Sequence, residues 1–174
     1  AAMASLTPNL SQQLEIGRVG LALTIEAMQA GQAVPAAATT AGEQLHLATV
    51  SGNREAIILL SDLYAWQGLN AEARTVLVGA LGTYGENAEL LRRLKNLNAD
   101  DAKLLATDME LVRNARPGDG WVLWYTGEAW YLRQVQARNS RNFVAAYEAI
   151  DRAEECFLQA KVMRQEFTSS CEDW

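Results

Sequence analysis

The sequence predicts an all-α protein, an array of antiparallel helix hairpins, and three observations carry that expectation. Apolar residues recur at spacings of three and four and seldom at two, which is the period of a helix and not of a strand. Glycine, asparagine and proline fall where such periodic segments stop. The breaks between segments are mostly about two to five residues long, too short for successive helices to do anything but pack side by side.

Taken in order, a first helix spans about Leu10 to Ala30, with Leu10, Leu14, Gly17, Leu21, Ile25 and Met28 along one side. Gly31 follows its end, and Gln32 to Pro35 form the turn. The second helix, about Ala37 to Val50, carries Ala41, Leu45 and Ala48 and is closed by Gly52-Asn53. A third and a fourth, about Arg54 to Gln67 and Ala71 to Thr83, are separated by Gly68-Leu69-Asn70. The fifth is short, about Ala88 to Leu97. Asn98 or Asp100 can cap the sixth, about Asp101 to Asn114, and Arg116-Pro117-Gly118-Asp119-Gly120 then interrupts the chain. The seventh and eighth are longer, about Trp121 to Ala137 and Asn142 to Phe167, around a turn at Arg138 to Arg141. Eight helices make four hairpins.

With 174 residues and 49% apolar content the chain can bury one core, so a single helical domain over residues 9–174 is expected, after a flexible or engineered N-terminus over residues 1–8. The net charge of −6 and a pI near 4.8 argue against nucleic acid, whose affinity comes from Lys and Arg displacing counterions. The basic run Arg133, Arg138, Arg141 reads as a solvated helix end. The most apolar stretch, Val19 to Ile25, is interrupted by Gly20 and Thr24 and is far short of the ~20 residues of a membrane helix, so no membrane span is expected. The opening residues lack the charged and apolar regions of a signal peptide, which makes the cytoplasm the default; an exported protein whose leader had been removed would read the same.

Cys156 and Cys171 are too few for a disulfide framework and show no metal spacing. On one helix they would stand about 22 Å apart, so they pair only if the chain reverses near Phe167 to Ser170. His46 is the only histidine, and its neighbours Leu45, Leu47 and Ala48 suggest a partly buried structural role. Asp100-Asp101 and Glu154-Glu155 are adjacent pairs whose side chains point in different directions, so neither is a shared-proton dyad. Gly79, Gly82 and Gly85 match no phosphate cradle. Cys156, between Ala153 and Ala160, reads as a small core hydrophobe. No enzymatic activity, no cofactor and no metal are expected.

Internal repetition is the remaining signal. In Glu55 to Asn87, Ile57, Leu60, Ser61, Tyr64 and Gly68 are followed by Ala73, Leu77 and Ala80, then Gly85 and Asn87. This order of large, small, aromatic and turn positions resembles a tetratricopeptide repeat, a helix-turn-helix unit of about 34 residues. Ser61, Ala73 and Ala80 are small where two helices would cross closely, and Tyr64 and Leu77 fill the space beside them. A diverged unit over about Trp121 to Ala160 echoes it with Leu123, Gly127, Ala129 and Trp130, then Phe143, Ala146, Ile150 and Ala153. It holds about seven additional residues, roughly two helical turns, so its helices should project beyond their neighbours. Ala88 to Asn114 keeps only Leu91 and Leu94. The unit-end proline is missing, and the units differ in length.

The resemblance implies a solenoid whose first helices line a concave groove for peptides. Carried over by position, that groove is formed by Glu55, Ile58, Leu59, Asp62, Ala65 and Trp66 in the first unit. In the second it is formed by Trp121, Trp124, Tyr125, Glu128, Tyr131 and Leu132. Trp121, Trp124, Glu128 and Tyr131 share a helical stripe distinct from the stripe of Leu123, Gly127 and Trp130. Either that aromatic row is an interaction surface or the eighth helix or first hairpin covers it. Asp62, Trp66, Trp121, Trp124, Tyr125, Glu128 and Tyr131 are the candidate binding residues. Members that clamp a carboxylate terminus use Lys, Arg and Asn at groove positions, and none stands there, so the expected partner is a protein or peptide that is apolar with basic residues. The function expected is a protein- or peptide-binding scaffold. The alternatives are a structural or oligomerising segment of a larger assembly, including a homo-oligomer, and a small-molecule pocket between the seventh and eighth helices. The apolar stripe of the eighth helix, from Phe143 through Tyr147, Phe157 and Ala160 to Phe167, should end as a cap on the preceding hairpin.

Overall fold

A computed structural model of the chain describes residues 8–164. Among them are eight helices and no strand: α1 (Leu10–Gln29), α2 (Ala36–Val50), α3 (Arg54–Trp66), α4 (Asn70–Tyr84), α5 (Ala88–Leu97), α6 (Ala102–Ala115), α7 (Gly120–Asn139) and α8 (Phe143–Met163). The expectations for residues 1–7, for Phe167 and the reversal at Phe167 to Ser170, and for pairing through Cys171 lie outside the described residues.

Side-chain caps start most of the helices. Asn9 makes a capping box with Gln12 on α1, Asn53 accepts from Ala56 N on α3, and Asn87 accepts from Glu89 N and Leu90 N on α5. The residue that starts α6 is Asp101, whose carboxylate accepts from Leu104 N at 2.9 Å. Neither Asn98 nor Asp100 does so: Asn98 ends α5 instead, donating its backbone N–H to Leu94 O. Left-handed glycines turn the chain at Gly31, Gly52, Gly68 and Gly85. The α7–α8 turn does without one, and Arg141 takes φ 56° there.

Contacts divide the chain into two compact units, one up to Val76 and one from Leu77, with the boundary inside α4. In the first, α1 packs on α2, α2 on α3, and α1 on α3. The core gathers Leu14, Ala38, Ala41, Leu45, Ala48, Ala56, Leu60 and Leu63. The α1 face differs from the expected one: Leu14, Gly17, Gly20, Thr24 and Ala27 are buried, whereas Leu10 and Met28 are exposed. The reason is the closeness of the α1–α2 crossing. A Cβ added at Gly20 would stand 2.2 Å from the Cβ of Ala41, and one at Gly17 2.3 Å from Leu45 Cδ2. Helices this close select small residues, so Val19, half exposed at 50%, and Leu23 are turned outward. Thr24 is accommodated because its hydroxyl donates to Gly20 O at 2.7 Å. His46 is exposed rather than partly buried, since Leu45 and Ala48 define the inner face of α2 and the next residue on a helix points about 100° away.

In the second unit α6 packs on α7 and α7 on α8. At 20 and 21 residues, α7 and α8 outrun α5 and α6, which have 10 and 14. The end of this hairpin nearest its turn is open: Phe143, Val144 and Tyr147 are exposed, which corrects the core role expected for Phe143 and Tyr147. Inward, Ala146, Ala149, Ala153, Cys156, Phe157 and Ala160 are buried. α8 ends at Met163, short of Phe167, because Arg164 leaves the helix into an extended conformation. Cys156 is fully buried, and burial pushes its thiol up to about 11.

Candidate functional site

The start of α7 is fixed by Asp119, whose carboxylate accepts from Trp121 N at 3.1 Å and Val122 N at 3.3 Å. Its other oxygen accepts from Arg116 Nε at 3.0 Å, and Arg116 also donates to Thr83 O. From that start α7 buries Val122, Leu123, Thr126, Gly127 and Ala129. The hydroxyl of Thr126 is satisfied by Val122 O at 2.7 Å, so this face needs no outside partner.

The remaining face carries the aromatic row, held in a half-buried state. Trp121 stacks on Tyr125 with ring centroids 5.9 Å apart and planes 21° from parallel. The guanidinium of Arg164 lies 5.0 Å above Trp121. Trp124 tilts against Phe157 of α8 at 4.8 Å and donates its indole N–H to Glu128 Oε1 at 3.1 Å. Glu128 Oε2 in turn accepts from Lys95 Nζ of α5 at 2.7 Å, and the same ammonium sits 5.4 Å from the Tyr125 ring. The Tyr125 hydroxyl is pushed above the usual phenol range, first by burial and then by the charges of Glu86 and Glu128. Tyr131 continues the row one turn on, half-buried.

The structure therefore joins Trp121, Trp124, Tyr125 and Glu128 into one connected set. The cover expected from the eighth helix is partial: Trp121 and Trp124 pack against the buried pair Leu123 and Ala160, yet neither is fully enclosed. Asp62 and Trp66 belong to the first unit, one turn apart on α3, with Asp62 half-buried and Trp66 40% exposed. Of the other groove positions, Glu55 is engaged by Arg18 at 2.7 Å, Leu59 packs on the first core, Ile58 and Ala65 are half-buried, and Leu132 is exposed.

Two sets of partners were missed from sequence. Lys95, Phe157 and Arg164 complete the aromatic row from 30 to 43 residues away along the chain, beyond any local signal. Trp130, placed in the core stripe, is half-buried because its indole N–H donates to Glu110 Oε1 at 2.7 Å while Arg152 lies 5.2 Å from its ring. Glu110 also meets Arg113, which reaches Glu155 and Gln159 of α8. Both tryptophans thus bury a ring and leave the N–H on a carboxylate.

No protein-family model matches the chain, and no curated protein sequence matches it.

Among the described residues no helix is long and apolar enough to cross a membrane.

Proposed function

We propose that the chain is a protein- or peptide-binding scaffold of tetratricopeptide-like helix hairpins that performs no chemistry of its own. The observation that carries this reading is the half-buried aromatic and acidic row of α7. Trp121, Trp124, Tyr125 and Glu128 are held in fixed orientations by stacking, by an indole hydrogen bond and by Lys95. Rigid, partly accessible aromatic side chains lose little entropy when a partner covers them, which is why Trp and Tyr dominate binding hot spots.

The repeat reading is supported by the local behaviour of its positions. Ile57, Leu60, Ser61, Ala73, Leu77 and Ala80 are each buried, Gly68 turns the chain with φ 76°, and Asn87 caps the following helix. Asp62 and Trp66 then offer a matching acidic and aromatic pair on α3. A partner that is apolar with basic residues fits the net charge of −6 and the carboxylates of Glu86 and Glu128 near Tyr125. Catalysis through Cys156 is disfavoured, because a fully buried thiol raised to about 11 holds little thiolate at neutral pH.

Replacing Trp124 by Ala removes the ring on Phe157 and the donor to Glu128, and should lower recovery of the partner in a pull-down by about tenfold or more. Equal recovery of every partner by both proteins sinks this reading. A second reading, an oligomerising segment, is favoured by the exposed Phe143, Val144, Tyr147, Leu158 and Val162 of α8. Sedimentation at several concentrations separates the two, since a strict monomer leaves the second without support.

A further inference from the structure

We propose that the chain pairs with a second copy of itself, about a two-fold axis, through the end of the α7–α8 hairpin nearest its turn. The pairing rests on the oligomerising reading and gives it a geometry. It leaves out the connected set of Trp121, Trp124, Tyr125 and Glu128, whose nearest member stands about 15 Å back along α7 from Arg138. Phe143, Val144 and Tyr147 are the apolar centre of the patch and are 59% to 72% exposed. Beside them a cavity of about 290 Å³ is lined by Gln134, Arg138, Phe143, Ala146, Tyr147 and Ile150. Exposed aromatic residues grouped around a concavity mark a contact surface.

The order of the charges says what covers it. On the turn side stand Arg138, which lines the cavity, and Arg141, and both are exposed. On the other side Asp151 and Glu154, four and seven residues after Tyr147, share its face of α8 and are also exposed. Glu148 borders the patch, about 100° round the helix from Tyr147. Other charges of this unit meet within the chain, Arg113 with Glu110 and Glu155, and Arg116 with Asp119. Arg138, Arg141, Asp151 and Glu154 form no ion pair among the described residues.

A partner carrying one sign of charge is attracted to one side of this patch and repelled by the other. The complement is an apolar centre flanked by the same charges in reverse order, and turning the patch itself by 180° produces it. With the axis beside Tyr147, the Tyr147 ring of each copy lies at the mouth of the other's cavity. Arg138 and Arg141 of each copy then face Asp151 and Glu154 of the other. Two α8 helices running in the same direction set arginine on arginine and carboxylate on carboxylate, so the antiparallel arrangement is the one that the charges select. The overlap covers about three turns of α8, which places the contact near the lower limit of about 1,000 Å² for a specific interface, and the association is weak and reversible.

Sedimentation of the full chain between about 10 μM and about 1 mM, where contacts of this size associate, is expected to show a monomer–dimer equilibrium. Tyr147→Ala should weaken it about tenfold or more. Arg138→Glu with Arg141→Glu should do the same, as should Asp151→Arg with Glu154→Arg, because a two-fold axis makes every reversal count twice. All five positions are exposed, so these variants should keep the wild-type Tm under monomeric conditions. The deciding arm mixes the two charge-reversed proteins, which stay apart alone and should form dimers together as tightly as wild type does, since every facing pair is again opposite. Trp124→Ala should dimerise like wild type. A strict monomer at the highest concentration overturns the proposal together with the oligomerising reading and leaves the patch to a different protein. A dimer untouched by Tyr147→Ala and by both reversals, or a mixture that does not associate, overturns this geometry while the oligomerising reading stands.

Discussion

The α1–α2 and α7–α8 hairpins solve the same problem, packing two helices of about four to six turns, in opposite ways. In α1–α2 the contact is made by Gly17 under the Leu45 side chain and by Gly20 against the Ala41 methyl, with Ala38 and Thr24 also buried, so only a small side chain or the edge of a leucine stands between the helices. In α7–α8 the contact is made by Phe157 lying over Gly127 and Trp124, with a ring filling the space between helices. The first arrangement encloses Leu14 and Leu45 among small residues and turns Val19, Leu23, Met28 and Leu47 outward. The second half-buries its large residues and orients them through N–H donors, carboxylates and guanidinium groups. Close crossing makes scaffold, and aromatic crossing makes a surface with fixed chemistry.

If that contrast is right, the second hairpin depends on its far end and the first does not. Ending the chain after Gln159 removes Ala160, which is fully buried beside Leu123, and Arg164, which lies on Trp121. Aggregation or a cooperative loss of the unit that contains α7 is expected, read by size-exclusion chromatography and near-UV circular dichroism. A soluble truncated chain with an unchanged Tm would break the comparison at its strongest point.

Next in size is a pair of substitutions that add one methyl group to each crossing. Gly20→Ala drives a Cβ into Ala41, whose own Cβ is fixed to backbone, so the upper end of overpacking costs applies, and about 2 kcal/mol is expected once the better helix propensity of Ala is included. Gly127→Ala meets the Phe157 ring at 2.7 Å, and a ring can pivot, so about 1 kcal/mol is expected once the better helix propensity of Ala is included. Urea denaturation of both measures the difference, and equal midpoints would mean that the two crossings are equally rigid.

Alkaline pH should separate the hairpins by a smaller amount. Burial raises the Cys156 thiol from the ordinary 9.0 to about 11 in the fold, so the unfolded chain gives up this proton first. The contribution is complete below pH 9, falls as pH rises, and is lost through the folded value of about 11. At pH 10 the loss is about 1 kcal/mol relative to pH 8. Cys156→Ala should lose less stability than wild type over the same interval in chemical denaturation, and parallel curves would show that this thiol is not shielded.

The smallest effect sharpens the comparison at the turns. The α1–α2 and α2–α3 connections place glycine in the left-handed region, but the α7–α8 turn puts Arg141 there with φ 56°. Arg141→Gly relieves that strain and should raise stability by about 0.5–1 kcal/mol, seen as a higher Tm. A lower Tm would point to a role for the Arg141 side chain itself.

The residues themselves determined the all-α class, the number of helices among the described residues, most helix limits to within one or two positions, and the turns at Gly31, Gly52 and Gly68. Helical periodicity and caps are local properties, set by neighbours within about four residues, and so can be read without a fold. The aromatic row on α7 was legible for the same reason, since Trp121, Trp124, Tyr125 and Glu128 share a face by spacing alone. What tertiary structure decided is which face of each helix turns inward and what each polar group meets. Counting apolar residues put Leu10 and Met28 of α1 inside, because it cannot see that Gly20 and Thr24 mark the place where another backbone arrives. Adjacency to Leu45 and Ala48 suggested a buried His46, although the direction of a side chain depends on the helix opposite. Lys95 on Glu128, Arg164 on Trp121 and Asn98 beside Asp108 are pairings between separate helices or across a connection, and their energies depend on distance in space, which spacing along the chain does not encode.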